Sequence, residues 1–253
     1  MPVNFERIGA RLKMKTNQFR LSGVLLALAL LPACGNRAAA QPEDGVALAI
    51  IYDTSGSMKQ PVRDGSGGKS PKYVIARRAL GDVIKRLQTF ATNTAASAPR
   101  KIEVGLFVFS GTGVRELVKF GPFDPAAAQN WTKDLPEPTS GTPLGNALSR
   151  AGQTVLNSKL ARKHVLVITD GMNTVGPDPS VTMPRLKKQA SDRQANLSVH
   201  FVAFDVDANV FDPLKKLGAT VVGAADEKQL NTQLEFILQR KILLEDEEPP
   251  KKN

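Results

Sequence analysis

The segment Val46-Ala47-Leu48-Ala49-Ile50-Ile51-Tyr52-Asp53-Thr54-Ser55-Gly56-Ser57 decides the fold. Its first seven residues are apolar without a break, so a strand there has no polar face to turn to water. Such a strand belongs in a parallel sheet covered on both sides. The run then stops at an aspartate followed by a Ser/Gly turn, which places the first polar groups at the strand's carboxyl end.

Downstream, helical and extended patterns alternate. From Pro71 to Ala91, Val74, Ile75, Leu80, Val83, Ile84 and Leu87 fall on one side of a helix, with Arg77, Arg78, Lys85 and Arg86 elsewhere. Pro71 suits the first turn. Ile102 to Ser110 reads as a strand, and Gly111-Thr112-Gly113 links it to Val114–Phe120 as a hairpin, which makes one strand antiparallel. A short helix is expected over Ala126–Lys133 and a longer one over Thr142–Ser158. His164–Thr169 is another buried strand, ending at Asp170. A helix over Met183–Ala195, a strand over Leu197–Phe204, a short helix over Val210–Leu217, a strand over Ala219–Val222 and a helix over Glu227–Leu243 close the chain. This order predicts an α/β fold, Rossmann-like and doubly wound, with a mostly parallel sheet and helices on both faces.

In such sheets ligands sit beyond the carboxyl ends of the strands, near the point where strand order reverses. Two strands end in an aspartate on a polar turn, at Asp53 and at Asp170-Gly171, and the loop Pro138-Thr139-Ser140-Gly141-Thr142-Pro143 opens a helix. Asp53, Ser55 and Ser57 alternate along one turn, with Gly56 letting the backbone fold so that their oxygens converge. Asp170 adds a second carboxylate and Thr142 a third hydroxyl. Hard oxygen donors suit Mg²⁺, Mn²⁺ or Ca²⁺. Mg²⁺ takes about six oxygens, which leaves room for water or an incoming carboxylate. Taken singly, Asp53 and Asp170 are ordinary turn formers, and Ser55 and Ser57 ordinary helix caps. The five together argue for a metal.

The Asp53-Thr54-Ser55-Gly56-Ser57 turn, Thr142 in Gly141-Thr142-Pro143-Leu144, and Asp170 in Thr169-Asp170-Gly171 resemble the metal-ion-dependent adhesion site (MIDAS) of von Willebrand factor type A domains. The resemblance covers roughly residues 45–240, in the family's order. It implies a Rossmann-like sheet with one antiparallel edge strand. It also implies a binding activity: the metal held by Ser55, Ser57 and Thr142, with Asp53 and Asp170 contacting it directly or through water, and a protein partner completing the shell with an acidic side chain.

The N-terminus reads as an address. Residues 1–20 are polar and basic, and Leu21 to Leu31 is an apolar stretch of 11 residues, too short to span a bilayer as a helix. A basic region, a short apolar region and a small-residue exit make a secretory signal peptide. The exit Leu31-Pro32-Ala33-Cys34-Gly35 resembles the bacterial lipobox, whose cysteine is acylated, although Pro32 departs from its small-residue pattern. Ala38-Ala39-Ala40 offers an ordinary cleavage site instead, and a retained anchor is the third possibility. The expected organisation is a signal peptide over residues 1–33, a tether over 34–44, the α/β domain over 45–240 and a charged, disordered tail over 241–253. A lipidated Cys34 would place the domain on the cell envelope, at the outer membrane or periplasmic face; without it the protein would be secreted or periplasmic.

The net charge of +10 is unevenly spread. Setting aside Arg7, Arg11, Lys13, Lys15, Arg20 and Glu6 leaves 29 basic residues against 23 acidic ones, a mildly basic domain. No basic run is dense enough for nucleic acid, and an aromatic content of 6% speaks against stacking platforms. Gly65-Ser66-Gly67-Gly68-Lys69-Ser70 lacks the leading glycine of a phosphate loop and reads as a flexible loop beside the site. Lys59, Arg63 and Lys69 are placed to shape the binding face. Asp205-Val206-Asp207-Ala208-Asn209 begins like a calcium loop, but Val210 and Lys216 stand where Gly and Glu are required, so a capped turn is expected. His164 and His200 read as packing or surface residues. No general base stands near the five oxygen donors in sequence. Binding is therefore favoured over a metal-dependent, phosphatase-like hydrolase, with a purely loop-stiffening metal as a further alternative.

Overall fold

The computed structural model describes residues 41–92, 100–139 and 141–243. The segment read as a signal peptide, Cys34, most of the segment read as a tether, residues 93–99, Ser140 and the chain beyond residue 243 lie outside them.

A six-stranded sheet has the order β5-β4-β1-β6-β7-β8. Its strands are β1 (Glu43–Tyr52), β4 (Ile102–Ser110), β5 (Gly113–Pro122), β6 (Leu160–Thr169), β7 (Asn196–Phe204) and β8 (Thr220–Ala224). All neighbours pair in parallel except β4 and β5, so β5 is the antiparallel edge strand. β1 is the centre, paired with β4 on one side and β6 on the other, and the strand order reverses around it.

The β1 sequence has no polar face because a core covers each side of the strand. Val46, Leu48, Ile50 and Tyr52 enter one core with α1 (Lys72–Thr92) and α6 (Glu227–Ile237). Ala47, Ala49 and Ile51 enter the other with α3 (Leu144–Leu156) and α4 (Pro179–Asp192). Each aliphatic side chain of Val or Leu size so buried contributes about 1.5–3 kcal/mol. The small alanines on the second side let α3 approach closely.

Several boundaries differ from the sequence reading. α3 starts at Leu144 rather than Thr142, leaving Thr142 in the loop, because Pro143 adopts a non-helical φ/ψ as the cap residue. α4 starts four residues earlier than expected, at Pro179, where the Asp178 side chain caps it by accepting from Ser180 N. The short helix α2 is a single turn, Pro125–Ala128, capped by Asp124. The last helix, expected as one run over Glu227–Leu243, is divided: α6 passes into a wider turn over Leu238–Leu243, and Ile242 and Leu243 are buried, so packed chain continues into the segment read as tail.

The segment read as a flexible loop is a small antiparallel hairpin, β2 (Pro61–Arg63) with β3 (Lys69–Pro71). Asp64 builds its tip. One carboxylate oxygen accepts from Ser66 N, Ser66 Oγ and Gly68 N, and the other accepts from Ser70 Oγ at 2.8 Å. Glu227 ties the tip down by accepting from Gly65 N at 2.7 Å and from both Nε and Nη2 of Arg78. The remaining helix, α5 (Asp212–Lys216), follows a 3₁₀ turn over Ala208–Phe211.

Candidate metal centre

The β1 register sets the site. Tyr52 pairs with Val108 of β4 and with Ile168 of β6, so the residues just beyond all three belong to one edge of the sheet. Asp53 N donates to Ile168 O at 3.0 Å, and Thr54 Oγ1 donates to Phe109 O at 3.0 Å. The turn after β1 is thus pinned to both neighbouring strands at the point of reversed order.

Four of the five expected residues form one hydrogen-bonded cluster. Asp53 Oδ1 accepts from Ser55 N at 2.7 Å, and Ser55 Oγ lies 3.0 Å from Ser57 Oγ. Ser57 Oγ donates to Asp170 Oδ1 at 2.8 Å. Thr142 is brought up by its backbone: its N–H donates to Thr174 Oγ1 at 2.8 Å, and its carbonyl accepts from Thr174 N at 3.0 Å. That pair fastens the Thr142 loop to the loop that follows Asp170. Asn173 adds a second fastening by accepting from Gly145 N at the start of α3. Asp53, Ser55, Thr142 and Asp170 are buried, and Ser57 is half-buried.

Burial, and then the charge of Asp170, push the Asp53 carboxyl up to about 6, with hydrogen bonds from Ser55 and Thr169 pulling the other way. A carboxylate so placed gains from any cation nearby.

Three residues at the site escaped the sequence reading. Thr169 Oγ1 donates to Asp53 Oδ2 at 2.6 Å and bridges the two aspartate-bearing turns. Lys72, the first residue of α1, places Nζ 3.1 Å from Asp170 Oδ2 and 3.0 Å from Asp205 Oδ2. Burial opposes the ammonium charge, but Asp205 and Asp170 outweigh it and hold Lys72 above its usual value. A signal for Lys72 was present: a lysine opening a helix with no acid in its first turn runs against the helix dipole and calls for carboxylates nearby. Asp205 pairs with Lys72, and the cap expected in that turn comes from Asp207, which accepts from Asn209 N. The two histidines are buried and face each other, His164 Nδ1 lying 3.2 Å from His200 Nε2.

Does the donor set fit a metal? Among the described residues no three His, Cys, Asp or Glu side chains cluster for one. The cluster here instead combines two carboxylates with hydroxyls, all hard oxygens. Each hydroxyl that donates to a neighbour keeps lone pairs for a cation, as does each carboxylate oxygen. The chemistry fits a hard divalent ion.

In a doubly wound α/β domain, oxygen donors at the switch point stand where such sheets place their ligands. The chain belongs to the von Willebrand factor type A domain family, whose model, VWA, matches residues 47–235. It is 24% identical over 209 residues to the uncharacterized protein YwmC of Bacillus subtilis (strain 168), covering 77% of this chain and 82% of that one. Among solved structures it is similar to the D319A mutant of the PilB minor pilin from Streptococcus sanguinis, with a TM-score of 0.59, 15% identity, and 79% of this chain against 62% of the pilin covered. It is also similar to proximal thread matrix protein 1 from the mussel byssus with a zinc-occupied MIDAS motif, with a TM-score of 0.56, 15% identity, and 79% of this chain against 48% of that one covered. The chain thus spans less than two thirds of either solved protein, and these likenesses concern the fold alone. No helix of the described residues is long and apolar enough to cross a membrane.

Proposed function

We propose that this protein is an extracytoplasmic binding module that recruits a protein partner through a divalent cation held by Asp53, Ser55, Ser57, Thr142 and Asp170. The observation that carries this reading is the linked cluster of Asp53, Ser55, Ser57 and Asp170, which joins two buried carboxylates through the Ser55 N–H and two serine hydroxyls, with Lys72 paired to Asp170. Mg²⁺ is the expected ion, with Mn²⁺ or Ca²⁺ as the alternatives; the zinc-occupied motif of the mussel protein makes Zn²⁺ a necessary control. The cation would offer a Lewis-acidic position to an incoming carboxylate, and the chain's own residues would orient it.

An acidic partner is favoured by the exposed cations that follow the Asp53–Ser57 turn in the chain. Arg63 and Lys69 sit directly opposite each other in the β2–β3 ladder, both exposed. Like charges at paired positions cost stability, so this arrangement does nothing for the hairpin itself. Neither they nor Lys59 make an ion pair among the described residues, and Lys59 lies two residues beyond Ser57. A binding role is also favoured over hydrolysis because both histidines are engaged with each other inside the sheet.

Calorimetric titration of the full-length protein with Mg²⁺, Mn²⁺, Ca²⁺ and Zn²⁺ tests the centre. Asp53→Ala combined with Asp170→Ala should abolish binding; unchanged affinity would refute the assignment. Acylation of Cys34 would tether the domain to the envelope, and one acyl chain alone gives only marginal membrane binding. Fatty-acid labelling that is equal in the wild type and in Cys34→Ala would remove the anchor from this picture.

A further inference from the structure

Lys72 stands where helix electrostatics disfavour it. It opens α1, whose first turn holds no acidic residue, and a cation there faces the positive end of the helix dipole. It is also buried, at 3% exposure. A buried ammonium persists only when it is paired and hydrogen-bonded. Lys72 has two carboxylates where one would balance its charge: Asp170 at 3.1 Å, whose side chain is fully buried, and Asp205 at 3.0 Å, whose side chain is 40% exposed. Only Asp170 belongs to the five oxygen donors.

Asp205 is held for this task. Its φ of 53° puts it in the left-handed region, and only one other described non-glycine residue, Gln194, is found there. Its N–H is fixed on Ala224 O at 2.7 Å. The ends of β6 and β7 and the start of α1 therefore converge a single buried cation on the edge of the candidate metal centre.

Resting on the reading of the five residues as a divalent-cation site, we propose that Lys72 is that site's built-in counter-ion. It holds Asp170 in place when no divalent cation is bound, competes with the cation for that carboxylate, and is retained by Asp205 once the cation is bound. The site accordingly keeps its shape without metal and loads only at a raised cation concentration.

The test is calorimetric titration of Mn²⁺ and Mg²⁺ into the full-length wild type, Lys72→Met, Lys72→Arg and Asp205→Asn, with thermal melts in chelator and in Mn²⁺. Methionine fills the space of the lysine stem without its charge. Lys72→Met should bind Mn²⁺ at least about tenfold more tightly, because a repelling charge a few ångströms from the ion is gone. It should melt below the wild type in chelator and recover in Mn²⁺, since an ion that binds only the folded state stabilises it. Lys72→Arg keeps the charge and should stay close to the wild type in affinity. Asp205→Asn leaves the cluster more positive and should weaken binding. General damage to the site would weaken binding in every variant, so tightening in Lys72→Met cannot arise that way. Equal or weaker affinity in folded Lys72→Met overturns the counter-ion proposal and leaves the metal centre standing, if Asp53→Ala still abolishes wild-type binding. Should Lys72→Met fail to fold, Asp205→Asn decides, and unchanged or tighter binding there overturns the proposal. Absence of binding in both the wild type and folded Lys72→Met overturns the metal reading and this proposal together.

Discussion

Three helix glycines separate two opposing effects of adding a methyl group. Gly→Ala in a helix gains up to about 1 kcal/mol from intrinsic propensity. Against this stands whatever the new Cβ meets. At Gly81 in α1 the nearest atom is Thr132 Cγ2 at 3.9 Å, ordinary contact. At Gly152 in α3 it is Leu186 Cδ1 at 2.7 Å and Cδ2 at 2.8 Å, the far end of a side chain that can rotate away. At Gly145, in the first turn of α3, the methyl would overlap the Pro177 carbonyl, with its carbon 2.9 Å away and that of Asp178 at 3.2 Å. Those are backbone atoms of the loop that carries Asn173 and Thr174, so relief requires the loop to move. Overpacking of this kind costs about 1–3 kcal/mol, and displacement also strains the 3.1 Å bond from Gly145 N to Asn173 Oδ1, worth about 1 kcal/mol. The expected order of stability in urea unfolding is Gly81→Ala above the wild type by about 0.5–1 kcal/mol, Gly152→Ala near it, and Gly145→Ala below it by about 1–3 kcal/mol. Gly145→Ala should also weaken cation binding in calorimetry, because the displaced loop holds Thr142. If Gly145→Ala is as stable as Gly81→Ala and binds the cation normally, propensity governs both positions and the loop does not pack tightly on α3.

The histidine pair gives stability a pH dependence. Burial first, then the facing ring and nearby Arg162, holds His164 down at about 3; burial, then Lys241, holds His200 at about 4. Both lie below the ordinary 6.5, so the unfolded chain takes up protons first; their contribution is complete above pH 6.5 and is lost as pH falls toward about 4 and then about 3. Asp53, raised to about 6, has the opposite sign and partly offsets this between pH 6 and 3.8. Urea unfolding from pH 7 to 4.5 should show a slope of up to about 1.4 kcal/mol per pH unit for each histidine, and a His164→Leu/His200→Leu double variant that kept the slope would contradict it. Glu227→Ala releases both Arg78 and the hairpin tip; hydrogen exchange over residues 61–71 should quicken, with a global loss of about 1 kcal/mol, and unchanged exchange would mean the tip is held by Asp64 alone. Thr174→Val removes the acceptor for Thr142 N and should cost about 1 kcal/mol while lowering cation affinity; affinity equal to the wild type would show that Thr142 is placed by other contacts.

Much of the fold was legible because its strongest signals are local. An unbroken apolar run can be satisfied only by a strand covered on both faces, and the Gly111–Gly113 link reports the antiparallel hairpin directly. Helix starts were less legible, since they depend on caps and prolines: Pro143 looks like a helix opener in sequence, yet it stays outside α3, and Asp178 caps α4 ahead of any apolar periodicity. The β2–β3 hairpin left no alternating pattern, because its order comes from one carboxylate, Asp64, replacing a strand's side-chain packing with four hydrogen bonds. At the site, the residues with a fixed spacing were readable, whereas Lys72, Thr169 and Asp205 matter only through where three separate elements end.

Those three residues alter what the site is without a cation. Asp53 Oδ1 and Oδ2 accept from Ser55 N and Thr169 Oγ1, and Asp170 Oδ1 and Oδ2 accept from Ser57 Oγ and Lys72 Nζ. All four carboxylate oxygens thus have a donor supplied by the fold. Three of those donors are neutral and leave room for a cation, because each oxygen retains a second lone pair. Lys72 alone carries a charge that a divalent ion must work against. A bare pair of buried carboxylates would repel and splay when empty, and would have to be reassembled at each binding event, at a cost to affinity that a fixed geometry avoids. Here hydrogen bonds keep the geometry and one lysine offsets the repulsion, so under the proposed counter-ion role a cation would contend with Lys72 for a single oxygen, Asp170 Oδ2.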